Sequence, residues 1–240
     1  METSLGGSNE NFPETAWSTV LSLPPGPSPR RADALNRLFS RYWKPVYRVI
    51  RTSAGRSIED AKDLTQGFFD YIFEEELVSR FRQDRGRFRA FLKGILRNYL
   101  SEIRRHEMSL KRGGGRAVLS LDTDAVERES PGFPATATPE EIFDHQWAAD
   151  ILQESLEALR TELMGASKGD AWQAYEAYDL SSGQPSYGEV AAALGLTESR
   201  VKDALTLCRG RLRDLIARRV SDGVASQEEL IQEMRDLLSR

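Results

Sequence analysis

The sequence predicts an all-α protein: two small helical domains joined by a flexible acidic linker, the second containing a helix-turn-helix. Three observations carry that expectation. Apolar residues recur at three- and four-residue spacing in several long segments, and nowhere alternate as a half-buried strand requires. Four segments open on a Ser or Thr followed three positions later by an acid: Ser57 with Asp60, Thr138 with Glu141, Ser186 with Glu189, and Ser226 with Glu229. Runs of Pro and Gly at Pro24–Pro29 and Gly113–Gly115 punctuate the pattern. The expected divisions are a largely disordered extension at 1–29, a helical domain at 30–112 and a linker at 113–138. A helix-turn-helix domain at 139–220 and a C-terminal helical extension at 221–240 complete them.

Within the extension, Trp17, Val20 and Leu21 suit one or two helical turns between Thr15 and Leu23. The first long helix starts near Arg30, on a stripe of Leu35, Leu38, Phe39, Tyr42, Val46, Tyr47 and Ile50. Pro45 is expected to kink or interrupt it, because proline donates no N–H and crowds the preceding turn. A second helix runs from Ser57 to about Glu76, with Ala61, Leu64, Phe68, Phe69 and Ile72 apolar and Asp60, Asp63, Gln66 and Asp70 polar. After a turn at Asp84-Arg85-Gly86, a third spans about Arg87 to Arg112, carrying 8 Lys/Arg against 2 acids. The linker holds Asp122, Asp124, Glu127 and Glu129. Thr138-Pro139-Glu140-Glu141 then places Thr at the N-cap, Pro at N1 and Glu at N3 of a helix reaching about Leu163. Another covers about Gly169–Leu180. Ser221-Asp222-Gly223 is a break before a final amphipathic helix with Leu230, Ile231, Met234, Leu237 and Leu238.

Between Ser186 and Arg219 the spacing is that of a helix-turn-helix. Ala191 is small where two helices must cross closely. Gly195 can take the positive φ of the turn. Val201 plugs the underside of the second helix, with Val190, Leu194, Leu196, Ala204 and Leu205, and Thr197 suits its N-cap. The start of such a helix enters the major groove of DNA, which turns Glu198, Ser199, Arg200, Lys202 and Asp203 outward. Arg209, Arg211 and Arg213 follow within reach of phosphates. A helical hairpin that merely packs is the plainer alternative.

Composition bounds the function. At 240 residues the chain fits one or two domains. Its single cysteine, Cys208, excludes an internal disulfide and suits a reducing compartment. No apolar run approaches the ~20 residues of a membrane span, and the N-terminus lacks a signal-peptide pattern, so a cytoplasmic protein is expected. No cofactor is expected. An enzyme is disfavoured: only His106 and His145 are available, Cys208 has no evident base, no Cys/His cluster suits zinc, and Gly113–Gly115 lacks a phosphate-loop context. The net charge of −4 conceals an asymmetry. Residues 30–112 carry 20 Lys/Arg against 11 Asp/Glu, 113–180 carry 4 against 14, and 198–220 carry 7 against 3. Two basic blocks flank an acidic middle, and basic blocks favour polyanions through counterion release, although many are only solvated helix faces.

This arrangement resembles bacterial sigma factors, above all the extracytoplasmic-function (ECF) class with only regions 2 and 4. The likeness covers about two-thirds of the chain. EDAKDLTQGFF (Glu59–Phe69) resembles the region 2.2 helix, GRFRAFLKGILRNYLSEIRR (Gly86–Arg105) regions 2.3 and 2.4, and EVAAALGLTESRVKDALTLCRGRLRDLI region 4. The resemblance implies binding to core RNA polymerase, through the β′ clamp and the β subunit, and to promoter DNA. Asp60, Asp63, Gln66 and Phe69 would contact polymerase. Arg87, Phe88, Phe91, Arg97, Asn98, Arg104 and Arg105 would bind and melt the −10 element, with Asn98 against a flipped base. For Phe88 and Phe91 singly, ordinary core packing is an equal alternative. Glu198, Ser199, Arg200, Lys202, Asp203 and Arg209 would meet the −35 element. Polymerase would do the chemistry.

Four features depart from the family pattern, the first being the N-terminal extension with Trp17, which precedes the family domain. Lys62 stands where many members carry an acid, and the adjacent Thr65 is a candidate phosphorylation site that would restore the lost charge. An anti-sigma factor or a kinase is accordingly a candidate partner. Phe91 sits where Trp is frequent. The C-terminal helix lies beyond region 4, free to pack on it, pair with another protein, or hold the free factor closed. The competing function is a helix-turn-helix regulator that acts on duplex DNA without polymerase; an interaction scaffold with no DNA role is a third.

Overall fold

The computed structural model describes residues 13–22, 28–53, 55–74, 77, 87–112 and 136–238. These form helices α1 (Ala16–Ser22), α2 (Pro29–Ser53), α3 (Ile58–Glu74), α4 (Phe88–Arg112), α5 (Pro139–Gly165), α6 (Gly169–Asp179), α7 (Tyr187–Leu194), α8 (Glu198–Ser221) and α9 (Gln227–Leu238), with no strand among the described residues. The all-α expectation is met. The Gly113–Gly115 run, the acidic linker up to residue 135 and the turn at 84–86 lie outside the described residues.

The helices start where the cap residues place them. The Ser57 hydroxyl accepts from Asp60 N–H at 3.1 Å, and Thr138 and Ser226 accept from Glu141 and Glu229 N–H at 3.2 Å each. Pro45 does not interrupt α2, which runs on through it. Proline in a helix interior costs about 3 kcal/mol. Burial of Leu38, Tyr42, Val46, Val49 and Ile50 on both sides of it offsets that cost.

The chain divides into two compact units: residues 1–148 with 221–240, and residues 149–220. In the first unit, α1, α2, α4 and the start of α5 meet at an aromatic centre. Phe88, fully buried, lies 4.9 Å from Trp17 and 5.2 Å from Tyr42 between ring centroids, and Tyr42 stacks on Phe143 at 6.1 Å. Helix α3 joins through Phe68 and Phe69: Phe68 meets Tyr99 edge-on at 5.4 Å, and Phe69 packs on Phe39 at 4.7 Å and Trp43 at 5.8 Å. The Tyr99 hydroxyl donates to the Leu64 carbonyl at 3.2 Å, and a Cβ at Gly67 would stand 3.1 Å from that hydroxyl, so glycine permits this approach.

The N-terminal extension is not uniformly disordered. Helix α1 is part of this unit, with Trp17 fully buried. The C-terminal helix groups with the first unit. Three successive carbonyls secure the connection. Asp222 accepts from Trp17 N–H at 2.9 Å, Gly223 from Phe88 N–H at 3.1 Å, and Val224 from the Thr15 hydroxyl at 2.6 Å.

The second unit is a four-helix cluster from the rest of α5 with α6, α7 and α8. Leu159, Leu163, Trp172, Ala174, Tyr175, Val190, Ala191, Val201, Ala204, Leu205 and Cys208 form its core.

Candidate functional site

In the second unit, α7 and α8 are joined by the predicted turn. Ser186, at φ −74° and ψ 161°, accepts from Glu189 N–H at 3.3 Å, while Ser186 N–H donates to the Glu189 carboxylate at 2.7 Å. The Ser186 N–H and the Ser186 hydroxyl, which donates to the same carboxylate at 2.8 Å, hold the Glu189 carboxyl below the usual carboxylate range. Gly195 closes α7 at φ 65° and ψ 31°, where a side chain would be strained. Its N–H and that of Leu196 (2.9 Å) both donate to the Ala191 carbonyl. Thr197 caps α8 by accepting from Arg200 N–H at 3.3 Å. Val201, fully buried, and Leu205 fill the underside as expected.

Helix α8 therefore presents Glu198, Ser199, Arg200, Lys202, Asp203 and Arg209 to solvent. Several of its cations are tied to acids on the preceding helices. Arg200 pairs with Asp170 at 2.9 Å, Arg209 holds both oxygens of Asp179 at 2.7 and 2.8 Å, and Arg211 pairs with Glu162 at 2.8 Å. Arg213 is exposed. A stacked tyrosine pair, Tyr178 and Tyr187, has centroids 4.7 Å apart and planes 7° from parallel. Lys202 lies over Tyr187 at 5.1 Å and Arg209 over Tyr178 at 5.8 Å. The pair fixes both cations about one face of the helix. Sequence reasoning missed it, because an aromatic pair on separate helices leaves no local spacing signal.

In the first unit, the seven α4 residues expected to meet DNA divide. Arg97, Asn98, Arg104 and Arg105 are exposed. Their spacing places them along one side of the helix. The amino end is covered. Phe88 is core, so it cannot receive a base; the expectation for it is corrected in favour of packing. Phe91 is half-buried and stacks on Trp17 at 6.0 Å. Arg87 pairs with Asp236 at 2.7 Å and Glu233 at 3.3 Å. Beside it, Arg89 is nearly buried and meets Asp144 and Glu233 at 2.6 Å each, and Asp236 at 3.2 Å. Its guanidinium also lies over the Trp147 ring at 4.4 Å. Burial works against the charge of Arg89, but the Glu233 and Asp144 carboxylates outweigh it and raise its pKa.

On α3, Asp60, Asp63 and Gln66 are exposed and Phe69 is mostly buried. Between α2 and α3 lies an open groove of about 520 Å³, lined by Asn36, Phe39, Ser40, Trp43, Lys44, Gln66, Phe69 and Asp70. Phe69 thus belongs to the aromatic floor of a groove rather than to a projecting contact. Thr65 is fully buried, its hydroxyl donating to the Ala61 carbonyl at 2.6 Å. Because its hydroxyl is fully buried and bonded within the helix, a kinase would need α3 to open first.

Among the described residues no group of His, Cys, Asp and Glu is placed to hold a metal ion, and no helix is long and apolar enough to cross a membrane. No protein-family model, curated protein or solved structure matches the chain.

Proposed function

We propose that the chain is an initiation factor of the extracytoplasmic-function sigma type. It binds core RNA polymerase and directs promoter-specific transcription. The first unit reads and opens the −10 element, and the second reads the −35 element as duplex. One observation carries the reading: each unit bears a long helix with an exposed cationic stripe, Arg97, Asn98, Arg104 and Arg105 on α4 and Arg200 with Lys202 at the start of α8. Cations on phosphates supply affinity, and an amide such as Asn98 suits a base edge. The acidic side of α3 and its aromatic groove support docking on a basic surface of polymerase, where carboxylates set orientation and on-rate.

The test is reconstitution. Purified chain mixed with core polymerase is expected to bind it and to yield transcripts with defined start sites; absence of binding to core polymerase refutes the proposal. Neutralising Arg200 and Lys202 is expected to abolish promoter selection while leaving polymerase binding intact. A helix-turn-helix regulator acting alone is the second reading. It is favoured by the fact that the core beneath α7 and α8 lies within residues 149–220. Tight binding to an operator duplex without polymerase would select it.

A further inference from the structure

Helix α9 is attached in an unusual way. Among its described side chains, Glu233 is the most deeply buried, at 2% exposure, while Leu230, Ile231, Met234 and Leu237 are only partly buried. An amphipathic helix that serves only the fold ordinarily buries its apolar stripe. Here the deepest anchor is a carboxylate. Glu233 and Asp236 reach Arg87 and Arg89 at the amino end of α4, at 2.6–3.3 Å.

We propose that α9 is a displaceable cover that closes the amino end of α4 against single-stranded nucleic acid. This rests on the reading of α4 as a strand-binding helix. The carboxylates of α9 occupy the donors that phosphates would take, so helix and strand exclude each other. Arg87, Arg89 and Lys93 are balanced by Asp144, Glu233 and Asp236. When α9 leaves, Asp144 stays on Arg89 and Lys93, and an excess of two positive charges appears. The buried Arg89 keeps a partner, which spares the open state an orphaned charge. The two ion pairs of Arg87 among the described residues both go to α9, so Arg87 is released. Phe91 stays stacked on Trp17 of α1, so the strand meets the released cations and not a freed ring.

The experiment uses the full chain, its D236N variant and its E233Q/D236N variant, with a labelled mixed-sequence single strand followed by anisotropy across a salt series. Hydrogen exchange of α9 reports release, and core polymerase binding is measured on the same samples. The double variant is expected to show faster exchange in α9 and about tenfold tighter single-strand binding at low salt. Its log K against log salt is expected to steepen by about 1.4, the value for two added phosphate contacts on a single strand. D236N, which alters a partly exposed group, is expected to move the same way by less, and it serves as the test if the double variant does not fold. Faster exchange of α9 with unchanged strand affinity and salt slope overturns the proposal, as does single-strand binding that is absent from every chain. Loss of polymerase binding by the unaltered chain is a separate result: it removes the sigma reading and leaves the strand measurement to decide the cover.

Discussion

Replacing Trp17 with alanine tests whether the N-terminal helix is part of the first unit. Trp17 is fully exposed to its neighbours and not to water: 0% of it is accessible, and it packs on Phe88 and Phe91 at 4.9 and 6.0 Å. A tryptophan buries roughly 150–250 Å². At about 25 cal/mol per Å² that is about 4–6 kcal/mol, an upper bound because the unfolded chain already hides some of this surface. Measured aromatic-to-alanine truncations in cores cost about 3–5 kcal/mol, and that is the expected range here. With a urea slope of about 2 kcal/mol per M, the midpoint of the first unit falls by about 1.5–2.5 M. The Trp17→Phe variant keeps a ring against both partners and is expected to lose less. Equilibrium urea unfolding gives the midpoint, and hydrogen exchange shows whether α1 detaches first. An unchanged midpoint together with unchanged protection of α1 would refute the claim that Trp17 anchors this helix.

Three further outcomes are expected. Gly195→Ala places a Cβ in open space but at φ +65°, so only the added backbone strain destabilises it, by about 1–2 kcal/mol, read as reduced exchange protection of α7; a neutral effect would argue against the left-handed cap. Cys208 is buried and its Sγ donates weakly to the Ala171 carbonyl at 3.5 Å; burial, then the charge of Asp179, push its pKa up to about 11. A disulfide reagent at neutral pH is therefore expected to modify it only as fast as the second unit opens, and reaction at the rate of a free thiol would contradict its placement. For Asp236, burial pushes the carboxyl pKa up, but hydrogen bonds from Arg87 and Gln232 and the charges of Arg87 and Arg89 bring it below the usual value. A depressed folded pKa contributes stability above the unfolded value that is lost as pH falls through the folded one. The hold on α9 is thus expected to be constant above pH ~5 and to weaken below ~4, with the Asp236 carboxyl titrating in NMR below 3.8; an inflection above that value would contradict the pairing.

What was legible in the sequence was local. Caps at Ser57, Thr138, Ser186 and Ser226, and the glycine at 195, each act within five residues, so a one-dimensional pattern contains them. The periodic stripes were legible because burial repeats with the helix; Leu35, Leu38, Tyr42, Val46 and Ile50 are all buried. The interruption expected as one outcome at Pro45 does not occur, because the burial that flanks it outweighs the local penalty. The four α4 positions that the resemblance names, Arg97, Asn98, Arg104 and Arg105, are exposed along one side of the helix, which helical spacing alone does not turn into a binding site.

The covered end of α4 was not legible, and the reason is separation along the chain. Arg89 meets Glu233 across 144 residues, and Thr15 meets Val224 across 209. Nothing in a short window tells an acid that will be solvated from one that will be buried against a guanidinium. Glu233 and Asp236 read as ordinary polar positions on an amphipathic helix, and Trp17 as one apolar residue of a short helical turn in an extension. Yet these residues decide how much of α4 is available. A motif match on α4 assigns one function to Arg87 and Arg97 alike, whereas the structure gives Arg87 two carboxylates and leaves Arg97 open to solvent. Binding that needs both ends of α4 must first displace carboxylates held by charge rather than by an apolar core. Such a contact weakens with salt and with competing phosphate, which a leucine-filled interface would resist.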